Sequence, residues 1–142
     1  MTTATRGLDA VEIGQTVRVS KTIGETDVYL FAGITGDFSP NHVNEEYMKA
    51  TRYGQRIAHG VLAMGFMSTA SSKLLESVPF PAVSYGYDRV RFVRPLLIGD
   101  TLTVEYKIIE KVPDKDQTLA QVTATNQRGE VVAVATHILK FV

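Results

Sequence analysis

Asp37 and His42 stand five positions apart across a Ser-Pro-Asn turn, in the segment GDFSPNH at residues 36–42. A carboxylate and an imidazole on one turn suit proton-transfer chemistry. One takes a proton while the other gives one, provided their surroundings separate their pKa values. Pro40 lies between them, fixes one backbone dihedral and stiffens the turn. A plainer reading of the same residues stays open. Asp37 can serve as an Asx-turn residue after Gly36, and His42 as a residue of a helix start.

Gly60 follows in AHG (residues 58–60), at the first turn of the longest helical candidate. A helix N-terminus offers unpaired N–H groups and a partial positive charge. Such donors can hold a developing oxyanion, for example the enolate of a thioester, and glycine lets a carbonyl approach closely. The alternative is a glycine that only permits tight helix packing. Of the three histidines, His42 and His59 lie in the least regular stretch of the chain. His137 sits among aliphatic residues of the last strand and reads as a structural or solvent-facing side chain. The chain has no cysteine, which excludes disulfides, thiolate metal sites and a cysteine nucleophile. Neither a GxSxG elbow, an HExxH helix nor a Gly-rich phosphate loop is present. We therefore expect no metal and no nucleotide or redox cofactor.

The elements that position these residues can be read from periodicity. TVRVSKTI (residues 16–23) alternates imperfectly, as a strand buried on one face does. From Glu25 or Thr26 the period changes to that of a short helix through Val28, Leu30, Phe31 and Ile34, closing at Gly33 or Gly36. GDFSPNH is turn-rich, and Asn44 caps a second short helix reaching about Thr51. After the loop RYGQRIAHG, residues 60–78 form a long helix, apolar nearly all round with small residues between, the pattern of a helix buried on every side. Four antiparallel strands follow: VSYGYDRVRFV, TLTVEYKIIEKV, TLAQVTATNQ and EVVAVATHILKFV. Turns at Pro95, Gly99–Asp100, Pro113–Asp114 and Arg128–Gly129 separate them. One buried helix and a run of hairpins imply an α+β domain, a single antiparallel sheet curled round the helix. The last strand is strongly apolar, and pairing with a second copy would hide it, so a homodimer is expected.

The chain has 142 residues, the size of one domain, which we place at residues 10–142 after a loose arm over residues 1–9. Basic and acidic residues number 15 each. That balance speaks against nucleic acid as a partner and leaves little self-repulsion. No apolar run approaches the roughly 20 residues needed to cross a bilayer, and the N-terminus lacks a secretory apolar core, so we expect a cytoplasmic protein without membrane association.

FAGITGDFSPNHVNEEYMKATRYGQRIAHGVL (residues 31–62) resembles the signature of the MaoC-like, R-specific enoyl-CoA hydratases, in which Gly-Asp-x-Asn-Pro-x-His precedes an Ala-His-Gly. VRFVRPLLIGDTL (residues 90–102) is similar to the second half of that family, and the resemblance covers about residues 10–142. It implies a hot-dog fold, normally dimeric, and hydration of trans-2-enoyl-CoA to (R)-3-hydroxyacyl-CoA or the reverse. It places the catalytic pair on Asp37 and His42, the oxyanion hole on the Gly60 N–H, and a supporting serine on Ser68. It makes acyl-CoA the partner, and we expect substrate contacts at Asn41, Ala58 and His59. Arg52, Arg56, Lys73, Arg89, Arg91 and Arg94 are candidates for the CoA phosphates. We select Arg89 and Arg91, which share one face of an alternating strand. The chain departs from the family pattern at Ser39, usually Asn, and at Asn41, usually aliphatic. Ser39 keeps a turn-forming side chain, whereas Asn41 bears on the choice of acyl group. Two rivals are a hot-dog acyl-CoA thioesterase and a non-catalytic acyl-thioester-binding dimer.

Overall fold

The computed structural model describes residues 4–142. Strand β1 (Thr16–Thr22) leads into helix α1 (Glu25–Thr35) and two short helices, α2 (Pro40–Val43) and α3 (Glu45–Lys49). Helix α4 (Gly60–Leu75) is followed by strands β2 (Ala82–Phe92), β3 (Thr101–Val112), β4 (Gln117–Thr125) and β5 (Val131–Phe141). All pairings are antiparallel, in the order β1-β3-β4-β5-β2. Alternation along the strands creates the core. Leu102, Val104, Tyr106 and Ile108 of β3, with Ala133, Ala135, His137 and Leu139 of β5, are buried in one layer with Ala63, Met67, Ala70 and Leu74 of α4. The hot-dog architecture of sheet and central helix is the one expected.

Several expectations need correction. The central helix is not buried all round. Ala63, Met67, Ala70, Ser71 and Leu74 are covered, while Val61, Gly65, Ser68 and Ser72 are exposed on the single chain. Five strands curl over one side of α4 only, and apolarity alone does not say which neighbour covers a face. The free apolar edge is also not the last strand. β5 lies inside the sheet between β4 and β2, and the edges are β1 and β2, the latter with Val83, Tyr85 and Phe92 each about half exposed or more. The loose arm of residues 1–9 is already packed from Gly7, in a 3-10 turn at Gly7–Ala10 with Leu8 buried; its first three residues lie outside the described part. GDFSPNH is not turn alone, since Pro40 starts the one-turn helix α2.

His137 proves to be a structural histidine. Its Nδ1 lies 2.8 Å from the Tyr106 hydroxyl and its Nε2 2.8 Å from Ser84 Oγ, and the ring is fully buried. Burial pushes its pKa down from 6.5 to about 4. The unfolded chain therefore takes up the proton first as the pH falls. The stability this neutral ring confers is complete above about pH 6.5 and is lost towards pH 4, on the order of 3 kcal/mol. His137→Gln, which hydrogen-bonds but does not titrate, is expected to flatten that acid limb in urea melts at pH 7 and pH 5. An unchanged limb would assign the acid loss to other groups.

Candidate active site

Helix α1 ends where Gly36 adopts φ 81° and donates its N–H to the Ala32 carbonyl, a left-handed cap that suits glycine. The chain then turns sharply into Asp37. Thr35 Oγ1 bonds the Phe31 carbonyl and accepts the Asp37 N–H at 3.2 Å, tying the aspartate to the helix end. Asp37 Oδ1 accepts the Ser39 N–H at 3.2 Å, so an Asx turn fixes the carboxylate and leaves Oδ2 free.

His42 sits in α2, nearly buried, with its Nδ1 2.8 Å from the Ile57 carbonyl. A carbonyl only accepts, so Nδ1 carries the hydrogen and Nε2 presents a lone pair. Ile57 is held in return, since its N–H donates to the Asn41 carbonyl at 3.0 Å. The next residue, Ala58, donates to the Leu96 carbonyl at 2.7 Å. This short segment is thus pinned between α2 and residues 95–97.

The free atoms of the pair meet. Asp37 Oδ2 and His42 Nε2 are 4.0 Å apart, too far for a direct hydrogen bond. One water can touch both at about 2.8 Å. The carboxylate is half exposed and the imidazole is buried behind it. Both line a cleft of about 350 Å³, together with Asn41, Gly60, Phe92 and Arg94. Gly60 is the first residue of α4, so its N–H has no carbonyl in a preceding helical turn. A Cβ there would lie 3.0 Å from the Phe92 ring, which would have to give by a few tenths of an ångström.

Asp37, His42 and His59 bring one ligand atom each within 4.8 Å of one another, the only such three-residue cluster among the described residues. The hydrogen bonds reduce its fitness for a metal. His59 Nε2 donates to the Asp37 carbonyl at 2.9 Å, so it keeps its hydrogen and offers no lone pair. Two free ligand atoms remain, fewer than the three or four protein ligands of typical zinc sites. The set suits a water molecule better than a cation.

The remaining expected residues divide. Ala58 is buried and lines the cleft with its methyl group, its N–H being engaged. Asn41 Oδ1 is buried without a hydrogen-bond partner and borders both this cleft and a neighbouring one. Ser68 does not line the cleft; at 1.5 Å per residue it lies about 12 Å along α4 from Gly60. Arg89 and Arg91 do not share a face by simple alternation. Arg89 has φ 53°, the register slips between Asp88 and Arg91, and neither side chain lines the cleft.

Among the basic residues, Arg94 is the one at the cleft. Arg56 is committed elsewhere: its Nε bonds Glu45 at 2.7 Å and its Nη1 bonds Glu25 at 2.9 Å. Those hydrogen bonds hold both carboxyls below the usual range. Lys73 pairs with Glu76, and Arg52 lies over the Tyr53 ring. The Arg56 clamp, Tyr53 and Phe92 went unrecognised in the sequence. Only two glutamates and an arginine at unrelated spacings hinted at the clamp.

Fold and site together define a hot-dog domain that carries a carboxylate–imidazole pair beside the N-terminus of its helix. The chain belongs to the MaoC-like domain family, whose model matches residues 9–131. It is 39% identical over 122 residues to an (R)-specific enoyl-CoA hydratase of Rhodospirillum rubrum, covering 86% of this chain and 82% of the relative. A 3-hydroxybutyryl-CoA dehydratase of Methylorubrum extorquens is 33% identical over 87% of this chain and 76% of its own. Among solved structures, the R-hydratase PhaJ1 of Pseudomonas aeruginosa superposes with a TM-score of 0.83 at 32% identity, covering 95% of this chain and 84% of the other.

Proposed function

We propose that this protein adds water to trans-2-enoyl-CoA thioesters to give (R)-3-hydroxyacyl-CoA, and removes it in reverse. The observation that carries the reading is the 4.0 Å gap between Asp37 Oδ2 and His42 Nε2, each the one atom of its side chain left free by the local hydrogen bonds. The names borne by the relatives supply the substrate class. A water held by both atoms presents its oxygen to the β-carbon. As that C–O bond forms, one water proton passes to the pair, and the pair delivers a proton to the α-carbon. The π electrons move towards the thioester carbonyl, whose oxygen the Gly60 N–H stabilises. The net change is one H and one OH added across the double bond. The two groups act on one shared water, so acid and base are not assigned separately.

α4 carries no carboxylate, which removes the usual thioesterase nucleophile or base from this helix. Asn41 offers its unpartnered Oδ1 to a hydrogen-bond donor of the acyl chain or carrier arm. Arg94 is the cation we assign to the CoA phosphates. Arg94→Ala is expected to raise KM several-fold, more than the Arg89→Ala/Arg91→Ala pair does; the opposite order would return the contact to β2. The R-configuration is tested in reverse. (R)-3-Hydroxybutyryl-CoA should be dehydrated and the S-enantiomer left untouched, and equal turnover of both would overturn the stereochemical assignment.

A homodimer in the cytoplasm completes the proposal. The unpaired edge of β2 and the exposed side of α4 support it. Val83→Asp/Tyr85→Asp is expected to give particles of the single-chain mass, 15.6 kDa, by light scattering, where the parent gives twice that. A monomeric parent would remove the dimer.

A further inference from the structure

His59 occupies the N-cap of α4, yet its side chain makes no capping hydrogen bond. Asp, Ser or Asn caps better, so helix capping does not explain a histidine here. The ring is 2% exposed. Its Nε2–H donates to the Asp37 backbone carbonyl at 2.9 Å, and its Nδ1 is buried without a partner. The ring stacks on His42 with centroids 3.7 Å apart and planes 28° apart, and it packs against Phe31 of α1 at 4.6 Å. Gly60 is the next residue.

We infer that His59 is a positioning residue that sets the spacing of Asp37 and His42 through two separate devices, its Nε2–H on the Asp37 carbonyl and its ring face on the His42 imidazole. This rests on the hydratase reading above and replaces substrate contact as the role of His59. Each device controls one member of the pair. The donor fixes the backbone from which the Asp37 carboxylate projects. The stack restrains the plane of the His42 ring about its Nδ1–H bond to Ile57, and so the direction of Nε2. A phenylalanine would keep the stack and leave a carbonyl without its donor. A glutamine would keep a donor at nearly the same reach and lose the ring. Of these side chains only histidine does both, and a displacement of about 1 Å between reacting groups is enough to cost a hundredfold in rate.

The test uses His59→Gln, His59→Phe and His59→Ala in the full-length protein. Activity towards crotonyl-CoA is measured alongside the imidazole nitrogen signals of His42 by NMR. Positioning predicts that KM stays within about twofold, while kcat falls about tenfold in the Gln and Phe variants and about a hundredfold in Ala. It also predicts that the His42 nitrogen signals stay as in the parent in Phe and shift or broaden in Gln and Ala, where the ring plane is no longer restrained. Thermal melts verify folding, and the Gln and Phe variants carry the test if Ala does not fold. A rise in KM with unchanged kcat would make His59 a substrate contact and overturn the inference. So would an unaltered His42 spectrum in both Gln and Ala. If the parent protein hydrates no thioester, the hydratase reading fails, and the NMR result still judges the role of His59 alone.

Discussion

Asp37→Asn is expected to lower kcat for enoyl-CoA hydration by about three orders of magnitude, within the range of general acid–base contributions, and to leave the melting temperature near that of the parent. Asparagine has the same shape, and its carbonyl oxygen can still accept the Ser39 N–H that closes the Asx turn. Towards His42 it presents a neutral NH2, which cannot take a proton from the water and points a donor where an acceptor is required. The side chain is half exposed, so little packing is lost. Stopped kinetics in a folded protein is the expected signature. A variant retaining more than a tenth of the activity would place the base elsewhere.

His42→Gln is the second large effect, and it differs in kind. The side chain is 10% exposed and its Nδ1–H satisfies the Ile57 carbonyl. Its replacement removes the titratable Nε2, disturbs that hydrogen bond and dissolves the stack with His59. We expect kcat to fall at least a hundredfold and stability to drop by about 1–3 kcal/mol, the cost of a buried group left unsatisfied. Denaturant melts read beside the kinetics check this. A variant that loses activity with full stability would show that Ile57 is held by other contacts.

The pair Asp37/His42 was legible because two kinds of reading coincide in it. The structural roles open to these residues in the sequence, an Asx turn and a helix start, are both present. The Asx turn engages Asp37 Oδ1 and the Ile57 carbonyl engages His42 Nδ1, which leaves Oδ2 and Nε2 free of local hydrogen bonds. The strands were legible because side-chain alternation is local, and the start of α4 at Gly60 because its apolar pattern changes there.

What required the structure is non-local. β2 pairs with β5 across the length of the sheet, and nothing in the composition of β5 shows that both its edges are occupied. Arg56 resembled any surface cation until Glu25, 31 residues away, and Glu45 were seen to enclose it. Arg89 and Arg91 obeyed a period of two on paper, and one residue at φ 53° broke it. His59 stood beside a glycine of greater interest, and its neighbours His42 and Asp37 are assembled only by the fold.

The most direct measurement is the enoyl-thioester absorbance of crotonyl-CoA on adding the purified protein. The account predicts rapid loss to an equilibrium mixture with 3-hydroxybutyryl-CoA, no release of free thiol, and no comparable loss with Asp37→Asn. Persistent absorbance with crotonyl-CoA and with a panel of longer and branched enoyl-CoAs, or release of free CoA from a saturated acyl-CoA, would contradict it.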